Sequence, residues 1–267
     1  MPSKRDERYV GLIMRALSVC ARYKPMFGKG KKGGMTLRQF QQLYRSDPFY
    51  KWVGLDSPLM YAAHKAAGGM TSVYRQLGIG CQWVFQNILK DSLGLSDAQA
   101  TWVYRVPTTE GKSRSLSLDG RIELAHIRDR EARLRVERWT SVAADKLLLT
   151  QRVRNDLKGV VFEVRQGYKS KDSKRQNADI SNASNAYAHL YIPTLLLLSA
   201  QIDGDVAARY MQARWLLLTG TTRGNQTEST YTFCRDVLDY DLAGFFRRHS
   251  RSIKVELEKV LKILLRA

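Results

Sequence analysis

The stretch Gly159 to Ile180, GVVFEVRQGYKSKDSKRQNADI, decides how this chain folds. Its first nine residues are a short apolar run bounded by Gly159 and Gly167, the pattern of a strand buried on both faces. Two charges interrupt that run. Side chains two apart in a strand point to the same side, so Glu163 and Arg165 share one face while Val164 turns into the core. A charged pair inside an apolar strand is costly unless it has a task. The alternative is an edge-strand carboxylate paired with a surface arginine.

Downstream, Ser173 to Leu190 has helical spacing, Ile192 to Ala200 is a second buried strand, Asp205 to Gln212 a helix and Trp215 to Gly220 a third strand. Strand, helix, strand, helix, strand predicts an α/β fold with a central sheet covered by helices. Upstream, Ile127 to Lys158 predicts one or two charged helices that stop at Lys158-Gly159. Before them the period changes to two. Thr101 to Val106 and Ser113 to Ile122 alternate on either side of a turn-like Thr108 to Lys112, a β-hairpin whose second strand, SLSLDG, ends on Asp119.

Residues 1 to about 95 read as mainly helical. Asp6 to Tyr23 is a basic amphipathic helix ending before Lys24-Pro25. Thr36 caps a short helix to Arg45, and Gly68-Gly69 separates this region from a helix over Ser72 to Leu93. GKGKKGG at Gly28 to Gly34 is a basic loop without Walker A spacing, suited to phosphate contact or to solvent. Leu242 to Arg266 is a basic amphipathic helix. The expected organisation is a helical region 1–95, an α/β core 96–240 and a terminal helix 241–267, separate or integrated into one domain.

Forty-four Lys and Arg stand against 25 Asp and Glu, a formal charge of +19, so polyanions are strongly attracted. The basic residues are scattered among apolar and aromatic segments, which suits wrapping a phosphate backbone. Membrane insertion is not expected, because the leucine run Leu195 to Leu198 is far too short to span a bilayer. Met1 to Tyr9 is charged and Arg15 and Arg22 break the next stretch, so a cytoplasmic protein is expected. Cys20, Cys81 and Cys234 form no CxxC pair and are expected to be buried thiols. His64, His126, His189 and His249 fit no zinc motif.

Phosphodiester hydrolysis uses hard metal ions to hold the phosphate, activate water and neutralise the leaving oxygen, and oxygen ligands suit magnesium. Glu163 supplies one such ligand, with Arg165 facing the same phosphate. A second acid must come from a neighbouring strand. Asp119 is best placed by pattern; Asp145, within a predicted helix, and Asp156, in the turn before the strand, are the alternatives. Beyond Gly167, the segment presents Lys169, Lys171, Lys174, Arg175, Gln176 and Asn177. Arg and Lys read guanine, Gln and Asn read adenine, and Lys meets phosphates, so these residues suit duplex DNA. A solvated basic helix start is the plainer alternative.

Val160 to Ile180, with YRQLGIGC at Tyr74 to Cys81 and SLSLDGRI at Ser115 to Ile122, resembles restriction endonucleases of the PD-(D/E)XK superfamily, most closely the ApaLI-like group. The resemblance covers roughly residues 70–220. It implies a mixed sheet flanked by helices, Mg2+, homodimerisation and cleavage of double-stranded DNA at a short palindrome, GTGCAC for the closer group. One departure stands out: the superfamily pattern ends in Lys, and Arg165 occupies that position. A guanidinium stabilises charge but cannot act as a general base. Either Arg165 serves electrostatically or Lys169 reaches in; the first needs no displaced strand. A non-enzymatic DNA-binding protein and a structure-specific nuclease of the same fold are the competing readings.

Overall fold

The computed structural model describes residues 3–27, 33–107, 113–167 and 173–266, and for residues 107, 173–178 and 180 the backbone alone. The chain divides into two compact units, Met1–Gly80 with Arg248–Ala267, and Cys81–Arg247.

The first unit is helical. Helix α1 (Lys4–Ser18) starts where the Ser3 side chain accepts the Asp6 N–H at 3.1 Å, and it buries Tyr9, Ile13, Ala16 and Leu17. Asp6, itself buried, holds Arg248 of the C-terminal helix Leu242–Leu264 at 2.8 Å. Helix α2 (Leu37–Arg45) opens with a reciprocal cap between Thr36 and Gln39, and α3 (Pro48–Trp52) with Asp47 as cap and Pro48 in the first turn.

Helix α4 (Pro58–Leu93) runs through Gly68-Gly69, where the sequence predicts a break. The glycines are seats for close neighbours instead. A Cβ at Gly68 would lie 1.9 Å from the Tyr23 hydroxyl, and one at Gly69 2.7 Å from Leu264. Helix continuity costs about 1 kcal/mol per glycine relative to alanine, a cost that these close approaches offset.

The second unit carries the sheets. After α5 (Asp97–Ala100), strands β1 (Trp102–Pro107) and β2 (Ser113–Leu118) form an antiparallel two-stranded sheet. The alternation expected to run unbroken to Ile122 is split. The chain bends at Asp119, and β3 (Gly120–Glu123) joins a different sheet, because Gly120 packs against Phe85, Leu89 and Phe162 where a side chain would be crowded.

Helices α6 (Arg130–Lys146) and α7 (Gln151–Asp156) follow, then β4 (Gly159–Arg165), α8 (Ser173–Ala188), β5 (Tyr191–Leu197), α9 (Gly204–Gln212), β6 (Leu216–Leu218) and α10 (Thr230–Asp236). The main sheet has order β3-β4-β5-β6: β3 antiparallel to β4, and β4, β5 and β6 parallel. This is the expected α/β architecture, a mixed four-stranded sheet flanked by helices, and β4 lies inside the sheet rather than at its edge.

Both faces of β4 are covered. Val161 packs with Leu195 and Leu197 of β5, Ala183 and Ala186 of α8, Val206 and Tyr210 of α9, and Trp102, Tyr104 and Leu118 of the small sheet. On the other face Phe162 meets Phe85 at 5.1 Å and Phe233 at 5.6 Å between ring centres. All three cysteines are buried free thiols. Among the described residues no helix is long and apolar enough to cross a membrane.

Candidate active site

Glu163 and Arg165 follow Val161 at two-residue steps, so they occupy the face of β4 that α8 and α9 cover. Their register partners are Leu195 and Leu197, both fully buried. A carboxylate and a guanidinium in such surroundings need strong partners, and they bond to each other. Arg165 Nη2 lies 2.8 Å from Glu163 Oε1. The same nitrogen donates to Asp179 Oδ2 of α8, also at 2.8 Å. The Tyr210 hydroxyl of α9 donates to that oxygen in turn.

Arg165 is 9% exposed and Asp179 4%. Burial by itself favours the neutral guanidine; the charges of Glu163 and Asp179 outweigh it and hold Arg165 protonated more firmly than in water. Glu163 and Arg165 share one face of β4 as expected, and they bond to each other in a buried bridge inside the sheet, unlike the alternative of an edge-strand carboxylate paired with a surface arginine.

The ladder β3-β4 pairs Gly120 with Phe162 and Arg121 with Val161. Extending it by one residue sets Asp119 opposite Glu163. The Asp119 side chain takes the position of a strand partner, accepting the Val164 N–H at 2.9 Å, while its carbonyl accepts from the Gln86 amide at 2.6 Å. Of the three aspartates weighed as the second acid, Asp119 is therefore the one beside Glu163.

Asp145 belongs to the last turn of α6 and is engaged with Arg154 of α7. Asp156 ends α7, on the Gly159 side of β4. Glu163 stands four residues further along that strand, roughly 13 Å at about 3.3 Å per residue.

Lys169 and Lys171 lie outside the described residues, as do Gly28 to Lys32 of the basic loop. Lys174, Arg175, Gln176 and Asn177 fall in the first turns of α8, with side chains outside the described residues.

Asp179 and Tyr210 were not singled out by sequence. A signal for Asp179 exists: it shares a helical face with Ala183 and Ala186, at steps of four and three, and both alanines are buried. An acid on a buried stripe calls for a cation, and Arg165 precedes it by 14 residues.

Asp119, Glu163, Asp179 and Arg165 together sum to a charge of minus two, a local anionic group in a chain of +19. Among the described residues no three His, Cys, Asp or Glu side chains stand together as a complete metal cage. Magnesium does not require one, since one or two carboxylates plus phosphate oxygens and water commonly hold it. Asp119 and Glu163 fit that donor set: hard oxygens from the bend that enters β3 and from β4 beside it. A carboxylate accepts several bonds at once, so the Val164 amide and the Arg165 guanidinium are compatible with a cation at the same two groups. No known protein family, curated protein or solved structure matches this chain.

Proposed function

We propose that this chain is a magnesium-dependent endonuclease of the PD-(D/E)XK restriction type, cutting double-stranded DNA as a homodimer at a short palindrome. The observation that carries the reading is the pair Asp119 and Glu163: Asp119, at the bend that enters β3, accepts the Val164 N–H next to Glu163 on β4, and β4 is followed in sequence by the cationic segment 168–177. Magnesium bound there supplies Lewis-acid polarisation of the scissile phosphate and a more acidic water. Asp119 and Glu163 would hold the cation, one from the bend that enters β3 and the other from β4.

Asp179 holds Arg165 from the helix side, which keeps a positive charge beside Glu163 without leaving the carboxylate to neutralise it alone. Lys169 and Lys171 are suited to the phosphates, and Arg175, Gln176 and Asn177 to base edges. A two-fold dimer matches a palindromic site, each copy cutting one strand. GTGCAC as the site rests on the resemblance to the ApaLI-like group.

A second reading is a non-enzymatic DNA-binding protein. It is favoured by the buried bridge itself, which gives Glu163 a structural role. Incubating the protein with phage DNA, with and without magnesium, separates the readings. Discrete fragments that appear only with magnesium are expected. A smear would indicate a nuclease without sequence preference, and intact DNA at a concentration that fully binds it would leave the non-enzymatic reading.

A further inference from the structure

The positive charge is unevenly placed. Met1–Gly80 with Arg248–Ala267 hold 20 of the 44 Lys and Arg and 6 of the 25 Asp and Glu, an excess of 14 in 100 residues. Cys81–Arg247 hold the other 24 and 19, an excess of 5 in 167 residues. Most of the attraction for a polyanion thus comes from the helical unit, although the candidate carboxylates belong to the sheet unit.

The same helical unit exposes large apolar side chains in one short span. Trp52 is 80% exposed and Phe49 60%, and Tyr50, Val53 and Leu59 are exposed with them. Single exposed apolar residues are ordinary, but such a run marks a contact surface. Two of its rings, Tyr50 and Phe49, join a ladder that starts in the core. The buried ring of Phe40 lies 4.2 Å from Tyr44, Tyr44 stacks on Tyr50 at 4.9 Å, and Phe49 follows at 6.1 Å. Asp47 caps α3 through the Tyr50 N–H at 3.2 Å. Phe49 and Trp52 are three apart in that helix and share a face. Lys51, between them in sequence, is exposed to the side of that face, and Arg45, in the last turn of α2, pairs with Asp56 at 3.0 Å.

A second copy of the chain is a poor occupant, because it brings the same excess of 14 charges against itself. An anionic bilayer takes up apolar side chains through helices long enough to lie along its surface, and α3 has five residues. A nucleic acid meets both halves of the surface: phosphates for the cations, and flat base faces for the rings.

We infer that Phe49–Val53 is a DNA contact of the helical unit, in which Phe49 and Trp52 stack on or wedge between bases while Lys51 takes a phosphate. Apolar wedges of this kind open base steps in other DNA-bending proteins. The inference deepens the proposed function and rests on it only for the identity of the nucleic acid.

The test uses the full chain in EDTA, so that binding is read without cleavage. A labelled duplex is titrated with wild type, Trp52→Ala, Phe49→Ala/Trp52→Ala and Lys51→Ala, and the emission of Trp52 is isolated by difference against Trp52→Phe. Trp52→Ala is expected to weaken duplex binding about tenfold and the double variant further. Lys51→Ala should lower the log-log salt slope by about one. Duplex should quench Trp52 to saturation. These positions are at the surface, so circular dichroism and the thermal midpoint should match wild type in every variant.

Unchanged duplex affinity of the double variant overturns the inference and leaves the nuclease reading standing. So does a Trp52 signal that follows protein concentration without DNA, or one that responds to anionic vesicles and not to duplex. A wild-type protein that binds no duplex removes both. Loss of binding in these variants with no magnesium-dependent cleavage by wild type would instead remove the nuclease reading alone.

Discussion

Replacing Asp179 by Asn keeps the shape of the side chain and removes its charge. In the native protein one oxygen of Asp179 accepts from Arg165 at 2.8 Å and also from the Tyr210 hydroxyl. The amide oxygen of Asn can stand where that oxygen stood and accept from both donors, so the change removes the negative charge facing Arg165 rather than the acceptor. Breaking a buried ion pair costs about 3–5 kcal/mol when the remaining charge is left alone. Arg165 is not left alone, because Glu163 remains 2.8 Å away. A hydrogen bond to a charged group is worth about 1.5–3 kcal/mol, which bounds what removing the charge of its acceptor costs. The expected loss is therefore about 2–3 kcal/mol, which lowers the melting temperature by roughly 4–12 °C in a chain of this size.

Urea unfolding followed by circular dichroism measures the effect, with the slope m unchanged. Tyr210→Phe removes one neutral donor and should cost about 1 kcal/mol, and the double variant should cost less than the two losses added, since both act on one oxygen. A loss below about 1 kcal/mol for Asp179→Asn, or strict additivity, would mean that the Arg165 bridge does not hold α8 and α9 to β4.

Glu163→Ala and Asp119→Ala should each abolish magnesium-dependent cleavage while leaving specific duplex binding in calcium intact; cutting retained by Asp119→Ala but lost in Asp145→Ala or Asp156→Ala would move the second ligand. Gly159 has φ +155°, and a Cβ there would lie 2.0 Å from the Ile122 carbonyl oxygen, so Gly159→Ala should cost at least about 2 kcal/mol by separating β3 from β4; an unchanged urea midpoint would contradict this. Burial holds the Cys81 thiol up at about 12, from 9.0, so the unfolded chain ionises first. Stability should be undiminished below pH 9 and fall as the pH rises from 9 towards 12, with a smaller fall in Cys81→Ala; a flat midpoint across that range would show that the thiol is solvated.

The alternation of strands and helices over 159–220 is legible because each strand is a short apolar run closed by glycine or a polar turn. The observed β4, α8, β5, α9 and β6 differ from the expected spans by a few residues at their ends. Glycines without visible partners are harder. Gly68-Gly69 has the composition of a break, and only the tertiary neighbours Tyr23 and Leu264 make it a packing seat. The bend at Asp119 is hidden for a similar reason. SLSLDGRI keeps a period of two through the bend, so the change of sheet leaves no mark in the pattern. The candidate site was half legible. Glu163 and Arg165 stand out as charges in an apolar strand, and Asp119 as an acid at a strand end. That Asp119 faces Glu163 depends on strand register, and that Asp179 meets Arg165 depends on how α8 crosses the sheet; neither is a local property.

If the proposed function holds, Arg165 stands where the PD-(D/E)XK pattern has Lys, and this geometry gives a physical account of an arginine there. A lysine is a compact, strongly hydrated charge on a flexible stem, while arginine is planar, less strongly hydrated and better suited to buried ion pairs. Position 165 is buried between Leu197 in register and the covering helices, and it bridges carboxylates on a strand and a helix at 2.8 Å each. A guanidinium tolerates that site. An ammonium would lose more hydration there and is more easily driven to its neutral form. Arg165 and Asp179 therefore belong together: the helix carboxylate makes a buried arginine tenable, and the arginine keeps a permanent positive charge beside Glu163. On the proposed function this separates two duties that one lysine can combine. Arg165 sets the charge and position of Glu163, and proton transfer, which a guanidinium cannot perform, falls to water and to groups beyond Gly167, with Lys169 the nearest cationic candidate in sequence.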